Sequence, residues 1–239
     1  MNTVLFDLDG TLLNINTDEF MKAYMKKLYP RLKDTFTSEE FNKYMNESIM
    51  AAILSEDESK TNEEVFIEVF ASISGKDINK VYKHITEFYS AEYTTIEGMY
   101  SKSKYMIKSV DVLKRKGYNL VVATNPLFPH IALAKRVEWA GLNPKDFKFI
   151  TSIEKMKFCK PSPKYYSQIL EIICKEASEC LMVGNDVQED LVASTIGIRT
   201  YLVTNNILNR TREQPSAHRI SDAKGFYKFV KALPIINKI

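Results

Sequence analysis

Two aspartates one residue apart, Asp7 and Asp9, stand at the end of the apolar run Val4-Leu5-Phe6 and are followed by Gly10-Thr11. A buried strand ending there delivers both carboxylates to one place, because residues i and i+2 of an extended chain point to the same side. Two like charges held close are unfavourable unless a cation, a proton or a charged ligand compensates them. The sequence therefore predicts a charged site at this strand tip. Three further positions carry matching chemistry. Thr124-Asn125 follows the run Leu120-Val121-Val122-Ala123, Lys160-Pro161-Ser162-Pro163 precedes a helical stretch, and Gly184-Asn185-Asp186 follows Cys180-Leu181-Met182-Val183, with Glu189 and Asp190 in the next turn. A hydroxyl, an ammonium and several carboxylates are thereby expected on one rim.

The elements that must position these groups alternate along the chain. Strands are expected at 3–7, 119–124, 147–150, 180–184 and 199–203, and helices at 101–116, 129–140, 163–175, 187–196 and 222–233. Gly117 and Gly141 punctuate helix ends, and Pro129 and Pro163 open helices. Strands separated by helices imply a doubly wound parallel sheet, an α/β fold, whose ligands bind outside the carboxyl ends of the strands. Residues 15–96 have a different texture, with charged residues interleaved among Phe, Tyr, Met, Ile and Leu at helical spacing. Helices are expected there at 17–29, 38–54, 61–74 and 77–91. Ser38 reads as an N-cap and Thr61…Glu64 as a capping box. The helical block is thus an insertion after the first strand, with crossings near 13–16 and 93–99. This divides the chain into a core of 1–14 plus 97–239 and a helical part of 15–96.

Composition sets the outer limits. The chain has 239 residues, 45% apolar and 26% charged, with a net charge of +3, values ordinary for a soluble domain and too weakly basic to imply a nucleic-acid partner. The basic stretch from Lys22 to Lys33 carries Tyr24, Leu28, Tyr29 and Leu32 and reads as one solvated helix face. No apolar run is long enough for a membrane span. Cys159, Cys174 and Cys180 have neither metal-ligand spacing nor an even count. With the first strand starting at once, a cytoplasmic setting is expected. Cys159 reads as a buried filler, His130 as a structural histidine near a helix start, and Trp139 as packing its helix onto the sheet.

The four strand-end groups, in this order, resemble the haloacid dehalogenase (HAD) superfamily over nearly the whole chain. Asp7-Leu8-Asp9-Gly10-Thr11 is similar to its first and most specific motif. The Thr124 strand end, Lys160-Pro161 and the Gly184…Asp190 acidic segment are similar to the second, third and fourth. The insertion resembles the helical cap of phosphoglycolate phosphatases, phosphoglucomutases and their relatives. The resemblance implies a phosphatase of small phosphorylated metabolites that uses Mg²⁺. Asp7 would be the nucleophile that forms an aspartyl-phosphate, and Asp9 the general acid and base. Thr124 would bind the phosphoryl group together with backbone N–H groups near Leu8, Gly10 and Asn125, and Lys160 would offset charge. The metal would sit between Asp7, the Asp9 backbone carbonyl and an acid of the fourth motif, an all-oxygen set suited to a hard cation. That motif usually places Asp directly after Gly. Here Asn185 holds the place, so Asp186 is favoured as the direct ligand with Asn185 as the alternative, and Asp190 is expected to act directly or through water. Asp9 argues against dehalogenation, which needs no acid for an oxygen leaving group. The rivals are a phosphomutase, a phosphonatase using a cap lysine such as Lys22, Lys26 or Lys27, and a protein that keeps the fold without turnover. Specificity residues are expected from the Asp18–Tyr24 helix and from segments near 45–60.

Overall fold

In the computed structural model, which describes residues 1–96 and 98–236, six strands form one parallel sheet. The strands β1 (Thr3–Phe6), β4 (Asn119–Val122), β5 (Phe149–Ile150), β6 (Cys180–Gly184), β7 (Arg199–Val203) and β8 (Arg219–Ser221) run in the spatial order β5-β4-β1-β6-β7-β8. A further pair, β2 (Leu13–Ile15) and β3 (Tyr100–Lys102), is antiparallel and separate. The central strand β1 pairs with β4 on one side and β6 on the other. The connection direction reverses there, so a crevice opens at its carboxyl end, the usual ligand position of such a sheet.

The alternation of the strands assigns their faces. Val4 and Phe6 belong to one buried cluster with Leu120, Val122 and Val183, while Leu5 belongs to another with Val121, Met182, Tyr165 and Tyr166. The first cluster is covered by α5 (Lys104–Arg115) and α8 (Ala223–Ala232), the second by α7 (Pro163–Ile173) and the 3-10 turn Leu191–Ile196. Both faces are therefore buried, as continuous apolar strands require.

Between β2 and β3 lie α1 (Thr17–Leu28), α2 (Ser38–Leu54), α3 (Asn62–Ser74) and α4 (Ile78–Ala91), followed in the core by α6 (His130–Trp139) after β4. The capping box at Thr61…Glu64 forms as read. The one at α2 is Thr37…Glu40, so Thr37 rather than Ser38 is the N-cap. The start of α3 leans on the core: the Asn62 N–H donates to the Met156 carbonyl at 2.7 Å, and the Glu63 N–H to that of Ile153 at 3.0 Å.

Three further expectations are corrected and one strand is added. Residues 101–102 are strand, because Leu13 and Asn14 pair with Lys102 and Ser101, and the helix starts only at Lys104. The helix read at 187–196 shrinks to the 3-10 turn, because Asp186 accepts from the Gln188 and Glu189 N–H groups and turns the backbone, a local competition that Asp side chains win readily. The edge strand β8 was not read at all; it is only three residues long. Trp139 stacks on Tyr100 at 4.7 Å and Tyr93 at 5.5 Å, so it fastens α6 to the β2–β3 ribbon rather than to the sheet. The 96/97 boundary falls on Glu97, which lies outside the described residues.

Candidate active site

The carboxyl ends of β1, β4 and β6 open into a cavity of about 670 Å³ whose other wall is built by α1 to α4. Asp7, Asp9, Thr124, Asn125, Asn185 and Asp186 all line it. Lys160 lies behind this wall, almost fully buried, and its Nζ is 2.9 Å from Asp7 Oδ1 and 2.6 Å from Asp190 Oδ1. Asp7 therefore has one oxygen anchored, and its Oδ2 makes no hydrogen bond among the described residues. Burial pulls the Lys160 ammonium down, but Asp190 and Asp7 overcome it and hold it well above its ordinary value. Burial pushes the Asp7 carboxyl up to about 8, against Lys160 and with help from Asp190 and Asp9.

The phosphate-binding expectations separate residue by residue. Thr124 is fixed through its carbonyl, which accepts from the Tyr165 and Thr151 hydroxyls at 2.7 Å each, leaving its own hydroxyl on the cavity wall. The Leu8 N–H has no acceptor among the described residues. Gly10 differs: its N–H donates to the Leu13 carbonyl at 2.7 Å and is not available to a phosphate. Gly10 instead lets the fourth segment approach, since its φ is +86° and a Cβ there would overlap the Asn185 amide. Asn125 lines the cavity with a buried, unpartnered Oδ1 and an amide 3.4 Å from Glu189 Oε2.

The fourth segment has a division of labour that spacing did not reveal. Asn185 stands against the first loop, accepting from the Thr11 hydroxyl at 2.8 Å and donating to the Asn206 carbonyl at 2.6 Å. Asp186 is gripped by Arg210, whose guanidinium nitrogen is 2.7 Å from Oδ2, and by the two N–H groups that shape its turn. Asp190 does not line the cavity. One oxygen holds Lys160 and the other accepts the Asp186 N–H at 2.9 Å. Gly184 makes this possible, as a Cβ there would sit inside the Asp190 carboxylate. Both Asp190 oxygens are thus engaged, and it positions Lys160 and the Asp186 turn.

Arg136 was missed. It is buried in α6, 3% exposed at the side chain, against the Phe20 and Phe128 rings at 4.1 and 4.4 Å, with one nitrogen 2.7 Å from Asp9 Oδ2. Asp9 Oδ1 is left buried and unpartnered. A guanidinium only donates, so Oδ2 is committed as an acceptor and Oδ1 is the oxygen left without a partner. The signal was present in the sequence: Arg136 shares the apolar spacing of Ala132, Leu133, Val137 and Ala140, and a charge on a buried helix face requires a partner. Arg210, in a loop without periodicity, had no such signal.

A Mg²⁺ ion fits the donors. No group of three or more His, Cys, Asp or Glu side chains that could hold a metal occurs among the described residues, but Asp7, Asp9, Asn185 and Asp186 line one cavity and carry oxygen donors. At the strand ends five carboxylates (Asp7, Asp9, Asp186, Glu189, Asp190) meet three cations (Arg136, Lys160, Arg210). One divalent ion balances the excess.

The remaining singled-out residues fall outside this chemistry. Cys159 is buried with its thiol pushed up to about 12 by burial, and all three cysteines are free. The His130 N–H caps onto Glu154 at 2.9 Å, and burial, then Lys155, lowers its ring. Of the expected specificity segments, Met21, Tyr24, Met45 and Ile49 reach the cavity; Glu63, Phe66, Tyr82 and Tyr89, from α3 and α4, reach it too. No described helix is long and apolar enough to cross a membrane.

Comparison with known proteins places this geometry. Residues 1–194 match the family model for haloacid dehalogenase-like hydrolases. The pyrophosphatase PpaX of Bacillus cereus is 24% identical over 204 residues, covering 85% of this chain and 83% of the relative. A HAD phosphatase structure from Thermococcus onnurineus superposes with a TM-score of 0.62 at 18% identity, covering 99% of this chain and all of the other. The L-2-haloacid dehalogenase of Xanthobacter autotrophicus superposes at 0.59 with 16% identity over 98% and 99%. These structural likenesses establish the fold and leave the chemistry to the site.

Proposed function

The chain belongs to the haloacid dehalogenase-like hydrolase family, and on that premise we propose that it is a Mg²⁺-dependent phosphatase of a small phosphorylated metabolite, acting through an aspartyl-phosphate. The observation that carries this reading is the asymmetry of the two aspartates. Asp7 has one oxygen fastened to Lys160 and the other open to the cavity, whereas Asp9 has one oxygen fastened to Arg136 and the other unpartnered. One group is prepared to attack and the other to carry a proton.

In the first step Asp7 Oδ2 forms a bond to phosphorus as the bond to the leaving oxygen breaks, and Asp9 Oδ1 gives its proton to that oxygen. The Thr124 hydroxyl and the N–H groups of Leu8 and Asn125 hold the phosphoryl oxygens, and Lys160 keeps the Asp7 carboxylate oriented. In the second step Asp9 takes a proton from water, which attacks the phosphorus and returns Asp7 as a carboxylate. Asp7, the Asp9 carbonyl and Asp186, or Asn185 in its place, would hold a Mg²⁺ ion, which would supply positive charge against the phosphoryl oxygens.

We read residues 15–96 as a cap that covers the site and excludes water, over a core of 1–14 plus 97–239. Three free thiols suit a cytoplasmic setting. A phosphonatase is disfavoured because none of Lys22, Lys26 and Lys27 lines the cavity. A dehalogenase would have no use for the Asp9–Arg136 arrangement. The test is phosphate release from an aryl phosphate with and without Mg²⁺. Metal-dependent release that disappears in Asp7→Asn supports the proposal; equal release by Asp7→Asn refutes the nucleophile.

A further inference from the structure

Resting on that reading, we infer that the substrate is a phosphomonoester with a bulky, apolar, non-anionic leaving group, and that pyrophosphate and small acid phosphates are poor substrates. The inference comes from the wall opposite the strand ends. The helical block gives this cavity Met21, Met45, Ile49, Phe66 and Ile85 among its linings, and no lysine or arginine. The core adds Phe128 and Ile153 on the same side. A second phosphoryl group or a carboxylate on the leaving group would find no cation there.

It would find two carboxylates. Glu63 and Glu154 both line the cavity. Glu63 accepts from the Tyr82 hydroxyl. Glu154 holds the His130 N–H with Oε1 and leaves Oε2 buried without a partner. The Tyr82 phenol registers both, since burial and then Glu63 and Glu154 push it up. An anionic leaving group would be repelled in a low-dielectric wall, while a donor N–H, O–H or ammonium would satisfy Glu154 Oε2. The two arginines that line the cavity are already engaged. Arg136 is bound to Asp9, and Arg210 to Asp186 and Glu189 on the phosphoryl side. The cavity, at about 670 Å³, falls in the range of pockets that enclose ligands of many atoms, well beyond the needs of pyrophosphate.

The test compares kcat/KM for 2-naphthyl phosphate, phenyl phosphate, pyrophosphate and phosphoglycolate with Mg²⁺. The expected order places the aryl esters first by about tenfold or more, a difference of the size apolar pockets achieve, and naphthyl above phenyl. Ile49→Lys is expected to narrow or reverse the gap by raising the anionic substrates and lowering naphthyl phosphate. A wild-type preference for pyrophosphate or phosphoglycolate overturns the inference while leaving the phosphatase reading intact. Absence of phosphate release from all four overturns the phosphatase reading. The leaving-group inference is then decided by calorimetric binding of benzylphosphonate against methylenediphosphonate, where tighter binding of the second refutes it.

Discussion

The two walls of the cavity are built from opposite materials. On the strand-end wall every charge has a named opposite: Lys160 with Asp7 and Asp190, Arg136 with Asp9, Arg210 with Asp186. These groups hang from strand tips, or are pinned to them, and the backbone that carries them is itself bonded, as the Thr124 carbonyl is by two hydroxyls. The helical wall is mostly rings and methyl groups, with Glu63 as its one carboxylate among the described residues. Its tyrosines pair with one another, Tyr24 with Tyr89 at 2.8 Å, more than with any ion. One wall thus fixes where charge develops, and the other fixes what shape is admitted. Substitutions in the first should damage all substrates alike; substitutions in the second should rank them differently.

The largest effect expected is from Asp7→Asn, which should lower kcat by at least about a thousandfold for every leaving group, because the covalent step is lost. Steady-state phosphate release measures it, and a loss confined to one substrate would break the contrast between the walls. The same variant sharpens it through stability. A carboxyl whose pKa rises on folding, here from 3.8 to about 8, holds its proton more tightly in the native state. Its stabilising contribution is complete below the lower value and is lost as pH climbs through the higher. Metal-free wild type should therefore lose melting temperature between pH 6 and 9 more steeply than Asp7→Asn.

Next in size is Lys160→Met. It leaves Asp7 and Asp190 buried without their cation and should cost about 3–5 kcal/mol in urea unfolding, with Asp7→Asn added on top recovering part of it. Arg136→Met follows. It frees Asp9 from its anchor and should lower kcat about tenfold to a hundredfold in steady-state phosphate release. The smallest is Thr61→Ala at the α3 capping box, about 1 kcal/mol by urea unfolding. It lies on the helical side, so any kinetic effect should depend on the leaving group.

The strand-end wall was largely legible in the sequence, because Asp7, Asp9, Thr124 and Asn185 are covalent neighbours of strand tips and a parallel sheet brings all such tips to one edge. Lys160 was legible by type, and its partner Asp190 only by spacing, which suggested a metal ligand. What spacing does not state is which way an acidic turn folds, and there Asp186 and Asp190 use their carboxylates on backbone N–H groups. Arg136 was visible as a misplaced charge and was passed over. Glu63, Phe66, Tyr82 and Tyr89 were not legible, because their place on the cavity depends on how four helices lie across the sheet, and helix spacing fixes only a face. The β2–β3 ribbon, at three residues a strand, is too short to show a period.

That ribbon has a consequence for the history of the chain. Ile15 and Tyr100 are register partners, and the Asn16 N–H closes on the Met99 carbonyl at 3.0 Å. The chain leaves the sheet and returns to it through a neck one residue pair wide, so everything between is a handle whose two ends already touch. A short turn joining Ile15 to Tyr100 would remove the handle without cutting a strand of the sheet, and a different handle of any length would fit the same neck. The catalytic edge and the wall that faces it are therefore joined along the chain at one place, and elsewhere by packing such as that of Arg136 against Phe20.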